Sequence, residues 1–276
     1  PTFNRIELYN YSTELENLCA LNYLNKIDYE ACKAMIKIQL DQMIYETMMS
    51  RRVNFRYTDV SSAFNSSNLF EYIRRAFSKG DQVIPELIKN KKPILNLLTH
   101  NLLSISKPLF EALNDKLILI ETIRHPLYMI IQQTFNHKNF YENKNKIRQF
   151  HVCFEKNKTE FFPWNYGYDE EFLKANPVER AILEMYYLNK MTENFKKNNK
   201  EINKKIIVIP FEDFVINPSD YIKNIESKLD TKSSKKTTKT LIKHKVPRKK
   251  LADSLPLKVY ERCGWKAPVK GLTEKQ

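Results

Sequence analysis

The chain has 276 residues, of which 42% are hydrophobic and 28% charged, with only four glycines. That length suits one large domain or two small ones, and the apolar fraction can fill a core, which excludes a disordered chain. The formal net charge of +14 favours an anionic partner, whether phosphorylated nucleotide, acidic glycan, nucleic acid or anionic membrane, without choosing among them.

In chain order, residues 28–51 are expected to form a long helix. Asp28 is placed to cap it, and Met35, Ile36, Leu40, Met43, Ile44 and Met48 recur at helical spacing as a core-facing stripe. Clustered Ser, Asn and Asp make 52–68 a loop, and a helix is expected over Leu69–Phe77, ending near Gly80. "PILNLLTHN" (Pro93–Asn101) reads as a strand, Lys107–Leu113 as a helix, and "LILIETI" (Leu117–Ile123) as a strand covered on both faces. Residues 126–137 follow as a helix with Pro126 in its first turn, where a missing N–H costs nothing.

The stretch 138–176, with "FFPWNYGYDEEF", is expected to be an irregular segment or lid on the substrate side. Its Tyr and Trp either stack on a sugar or pack in the core. Residues 177–198 read as a helix with Ile182, Leu183, Met185, Tyr186, Leu188 and Met191 on or near one face. "KKIIVIPF" (Lys204–Phe211) is a third buried strand. "INPSDYIKNIESKL" (Ile216–Leu229) is a helix with Asn217 as N-cap and Pro218 at its first position. Residues 228–250 read as a basic surface loop, which also has the charge to close over a nucleotide or recruit a polyanionic glycan.

The four cysteines, Cys19, Cys32, Cys153 and Cys263, form no CxxC pair and do not cluster with the five histidines. Neither a metal site nor a disulfide framework is therefore expected. No apolar run reaches the roughly 18 residues of a transmembrane helix, and no signal peptide is present. A soluble, cytoplasmic protein is the expectation, although a chain that begins at Pro1 leaves room for a missing N-terminal segment with its own signal or anchor.

Strands alternating with helices argue for an α/β fold with a mostly parallel sheet, in which ligands sit beyond the carboxyl ends of strands. His100 and Arg124 fall at such ends. Arg124 lies just before a helix whose free N–H groups and dipole favour an anion, and its planar fork suits a phosphate. The alternative is an ion pair with Glu121. His100 has the chemistry of a general base near neutral pH, or of an ordinary loop histidine.

Taken together, strand–"TH"–helix–strand–"RHP"–helix, followed by "PFEDF" and "NPSDY", resembles the sulfotransferase family. Its members transfer a sulfuryl group from PAPS (3'-phosphoadenylyl sulfate) to an alcohol or amine. The resemblance spans about residues 90–265 and is most specific in "LILIETIRHPLYMII", with support from "IIVIPFEDFVINPSDYIKNIESKL". It implies a single domain over 1–276 with a three-layer, phosphate-loop-NTPase-like architecture, a parallel sheet flanked by helices. It implies that Arg124 holds the 3'-phosphate of the donor and that His100 takes the acceptor's proton. Glu212 and Asp213 fall on a structural acidic pair, and Arg248 and Lys249 in "VPRKK" lie where a late basic loop reaches the same phosphate. No metal is needed for such a transfer.

The sequence departs from the family pattern at three places. Gln132 stands eight residues after Arg124, where a phosphate-binding serine is usual; its amide can still donate hydrogen bonds. Leu98 replaces the lysine of "KTH". No glycine-rich phosphate loop is present, so the first strand and loop are expected to be missing. Glu7 is a second candidate base, or else a surface glutamate. The acceptor is not readable from the sequence; the resemblance implies a hydroxyl or amine, with a small alcohol or a carbohydrate as candidates. The competing classes are another phosphate-loop transferase, such as a small-molecule kinase, and a non-catalytic basic module that binds glycan or nucleic acid. The absence of a nucleic-acid-binding motif counts against nucleic acid as the partner.

Overall fold

The computed structural model describes residues 2–249, apart from 60, 67, 79, 81 and 143–149. The chain opens with strand β1 (Ile6–Tyr11) and the helices α1 (Thr13–Tyr23), α2 (Tyr29–Met48), α3 (Leu69–Ala76) and α4 (Ile84–Lys91). Then come β2 (Ile94–Leu98), α5 (Lys107–Leu113), β3 (Leu119–Ile123) and α6 (Pro126–His137). The short strands β4 (Phe154–Lys156) and β5 (Thr159–Phe161) lead into α7 (Asp169–Lys174), α8 (Pro177–Asn198) and α9 (Lys200–Asn203). The described part ends with β6 (Ile206–Pro210), α10 (Phe211–Phe214), α11 (Pro218–Lys228) and α12 (Lys235–Lys243).

This is a mixed α/β structure with small parallel sheets. β1 pairs with β2 in parallel, with an irregularity between Ile6 and Tyr9. β3 pairs with β6 in parallel and in unbroken register, from Leu119 opposite Ile206 to Ile123 opposite Pro210. Among the described residues, neither β2 nor β3 carries a strand on its other edge. β3 departs from expectation: it is not covered on both faces, for Ile120 and Ile123 are 43% and 44% exposed.

The core is built where apolar positions recur at helical spacing. Cys32, Ile36, Leu40 and Met43 of α2 pack with Leu15 and Cys19 of α1 and Leu109 and Ala112 of α5, over Leu95 and Leu97 of β2. Phe110, on the same α5, joins Leu103 and Phe195 above Leu119 and Ile206. α5 thus lies against both strand pairs. In the expected stripes, Met35 of α2 and Ile182 and Tyr186 of α8 face solvent, because a round helix offers its buried neighbours less than half its circumference.

Local chemistry sets the helix ends. Asp28 accepts the N–H of Ala31, as expected of an N-cap. Asn217 does not cap α11; its amide donates to Asp213 Oδ1 at 3.1 Å. The segment expected to be irregular contains the β4–β5 hairpin, with Phe154 stacked on Phe161 at 5.4 Å. Most of its aromatics are core: Phe161, Tyr168 and Phe172 pack with Leu183 and Tyr187, while Tyr166 stays exposed. The basic segment 228–250 is not simply a loop. It folds α12, started by a capping box in which Ser234 and Thr237 exchange hydrogen bonds with each other's backbone N–H.

Candidate functional site

The parallel pairing of β3 with β6 builds the first cluster. Because Ile123 lies opposite Pro210, the next residues, Arg124 and His125, emerge beside Phe211 and Glu212. The Arg124 guanidinium lies 4.6 Å from the Phe211 ring centroid and 5.9 Å from that of Tyr128, one turn into α6. Glu212 Oε1 accepts the His125 N–H at 3.1 Å, and the His125 side chain in turn accepts the N–H of Leu127 at the start of α6.

Arg124 is not paired with Glu121, whose carboxylate meets Lys196 at 2.7 Å. Its nearest carboxylate is Glu212, with Nε 3.9 Å from Oε1, beyond hydrogen-bond reach. Arg124 Nε is buried and makes no hydrogen bond among the described residues.

Arg248 joins this cluster from the far end of the chain. Its N–H donates to Val215 O at 2.7 Å, just after α10, and its guanidinium lies 5.6 Å from the same Phe211 ring. Two of the four residues expected to hold a nucleotide phosphate therefore meet at one aromatic side chain. The other two do not join them: Gln132 and Lys249 are exposed, and among the described residues neither side chain makes a hydrogen bond.

A second cluster surrounds His100, two residues after β2. Its backbone N–H is hydrogen-bonded to Oε1 of Glu16, and its Nδ1 lies 3.5 Å from the same oxygen. The other oxygen of Glu16 is 3.2 Å from Nδ1 of His151 but makes no hydrogen bond among the described residues. Glu16 sits on α1 and is only 4% exposed, whereas the His100 side chain is half open to solvent. Burial works to raise the Glu16 carboxyl. Its interactions with His100 and His151 outweigh it and hold the group below the ordinary 4.5. A small cleft lined by Glu16, Asn17, His100, Asn101, His151 and Trp164 opens here.

Glu7 belongs to neither cluster. It is not a surface residue: it points from β1 into the interior, 3% exposed, where both its oxygens take the Arg75 guanidinium at 2.9 and 3.0 Å. Tyr72 closes the pair, accepting the Leu8 N–H while the Arg75 guanidinium lies 5.4 Å from its ring. Both carboxylate oxygens are occupied by the bidentate guanidinium and the group is buried, so this geometry is that of a structural ion pair. Asp213 is likewise occupied, taking hydrogen bonds from Tyr221 and Asn217.

Sequence reasoning missed Glu16, His151 and Phe211. Phe211 had a usable signal, since it ends the expected strand Lys204–Phe211 just before "EDF". Glu16 and His151 had none, being isolated residues brought together by tertiary packing. Among the described residues, no group of three or more His, Cys, Asp or Glu is arranged to hold a metal ion, and no helix is long and apolar enough to cross a membrane. Comparison with protein-family models, curated proteins and solved structures finds no match for this chain.

Proposed function

We propose that the protein is a PAPS-dependent sulfotransferase that moves a sulfuryl group to a hydroxyl or amine acceptor, with a carbohydrate among the candidate acceptors. The observation that carries this reading is the convergence of Arg124 and Arg248 on Phe211, beside the N-terminus of α6, with Arg124 Nε lacking a hydrogen bond. Two guanidinium groups at a helix start suit a doubly charged phosphate, here the 3'-phosphate of the donor.

In this reading the two parallel pairs are halves of one three-layer, phosphate-loop-type sheet. The strand carrying the loop lies between the bare edges of β2 and β3, and is supplied from outside the described residues. The placement of α5 under both pairs supports this arrangement. The reaction is an in-line displacement at sulfur. The acceptor oxygen bonds to sulfur as the bond from sulfur to the phosphate oxygen breaks, and the acceptor's proton passes to His100. Positioning and electrostatic stabilisation supply the rate.

The test is calorimetry on full-length protein with PAP and with 5'-AMP, which lacks the 3'-phosphate. Binding of PAP in clear preference to AMP is expected. Equal affinity for the two, or none for PAP, overturns the assignment. Magnesium-dependent ATP turnover in place of PAP binding moves the chain to the kinase class.

A further inference from the structure

We infer that Glu16 and His151 form one proton-handling unit with His100, in which a single buried carboxylate holds both imidazoles by their Nδ1 atoms. The inference rests on the reading of His100 as the proton acceptor, but its geometry stands apart from the choice of substrate.

The unit is built from three separate parts of the chain. Glu16 is fixed by α1, with Leu15 and Cys19 beside it in the core. His100 is fixed by the turn after β2, where its own N–H is tied to Glu16. His151 is fixed by the neighbour of Glu16. The Asn17 side chain donates to Phe150 O at 2.9 Å and accepts the Val152 N–H at 2.8 Å, so the backbone on both sides of His151 is clamped to α1. Phe162 and Trp164 present ring edges to the His151 imidazole, with centroids 6.0 and 5.8 Å away, and Tyr11 flanks His100 at 4.9 Å. The titratable groups facing Glu16 are Tyr11, Cys19, His100 and His151.

The chemistry follows from satisfying the carboxylate. A buried anion must be paired and hydrogen-bonded. Glu16 Oε1 takes the His100 N–H, while Oε2, 3.2 Å from His151 Nδ1, is buried without a hydrogen bond among the described residues. An Nδ1–H on each neutral ring, turned toward the carboxylate, would satisfy it. That fixes the tautomer of His100 and leaves its Nε2 as the basic nitrogen. A proton arriving there creates an imidazolium beside a carboxylate that stays ionised. His151 draws on the same carboxylate, so the charge state of one ring is felt by the other. Glu16 and His151 are positioning residues in this scheme; only His100 meets the acceptor.

The experiment is nitrogen NMR of the imidazoles in the full-length protein without ligands, at a pH where both rings are neutral. Wild-type protein is expected to show His100 and His151 as Nδ1–H tautomers. In Glu16→Gln the amide offers one acceptor and one donor, so at least one ring is expected to switch to Nε2–H. If that variant does not fold, His151→Phe serves instead: the His100 signals shift while its Nδ1–H form persists. Wild-type rings in the Nε2–H form, or His100 signals unmoved by either substitution, overturn the inference. The readout needs no donor or acceptor. A coupled pair of histidines in a protein that ignores PAP would remove the transferase reading and leave the unit standing.

Discussion

Arg124 and Arg248 lie far apart in sequence yet set their guanidinium groups 4.6 and 5.6 Å from the centroid of one ring, Phe211. Each is brought there by backbone pairing: Arg124 by the β3–β6 register and Arg248 by its N–H bond to Val215. Arg124→Ala and Arg248→Ala are each expected to weaken PAP binding roughly ten- to hundredfold, from the ~1.5–3 kcal/mol of a charged hydrogen bond. Because both contact one ligand, the double variant should depart from additivity by about 0.5 kcal/mol or more. Calorimetry on the four proteins checks this, and strictly additive losses would mean the arginines do not share a phosphate.

The ion pair of Glu7 and Arg75 concerns stability instead. Both side chains are almost fully buried, at 4% and 6% exposure. Removing one charge of a buried pair leaves the other uncompensated, at a cost of about 3–5 kcal/mol. Arg75 keeps a second partner in Glu71, 3.3 Å from its Nε, so the loss in Glu7→Gln is expected near the lower end of that range. Urea unfolding of the variant measures it. A variant as stable as wild type but unable to turn over PAPS would restore Glu7 as the catalytic base.

Elements governed by local chemistry were legible in the sequence. The helix over 177–198 follows from apolar spacing, and the helix over 126–137 from the proline that opens it. What depended on partners was not legible. "LILIETI" has the composition of a buried central strand, but its exposure is set by what packs over its faces, and no residue within it encodes that. β1 was missed because Glu7 and Asn10 interrupt its apolar pattern; Glu7 is tolerated only because Arg75, from a distant helix, neutralises it. The site divides in the same way. Arg124 could be found from its place at a strand–helix junction, and Arg248 from its place in the basic "VPRKK" segment. Glu16 is one glutamate among many until His100 and His151 are placed on its two oxygens.

The capping box of α8 offers a test of local chemistry. Asn176 Oδ1 accepts the N–H groups of Val178 and Glu179 at 3.0 Å, and Glu179 returns a bond to the Asn176 N–H at 2.8 Å. α8 carries Phe195 into the core beneath β3 and β6. Asn176→Ala leaves two helix N–H groups without their acceptor and is expected to cost about 1 kcal/mol. Thermal unfolding should show the lower midpoint, and Asn176→Asp should recover it.

Glu71 gives a prediction in acid. Its carboxylate takes two hydrogen bonds from Arg74 at 3.0 Å, meets Arg75 Nε at 3.3 Å and is paired with Lys91. The Arg74 hydrogen bonds, with Lys91 adding to them against a smaller opposing effect of burial, hold its carboxyl down to about 2 from the ordinary 4.5. A folded-state value below the unfolded one stabilises the fold when the group is ionised. The contribution of Glu71 is therefore complete above pH ~4.5 and is lost as the pH falls from there toward ~2. Glu71→Gln has no proton to take up, so wild type and variant should converge in stability across that window and stay a fixed distance apart above it. Urea unfolding at a series of pH values reads the difference directly. A constant difference down to the bottom of the window would mean that Glu71 gains nothing from its cationic neighbours in the folded state.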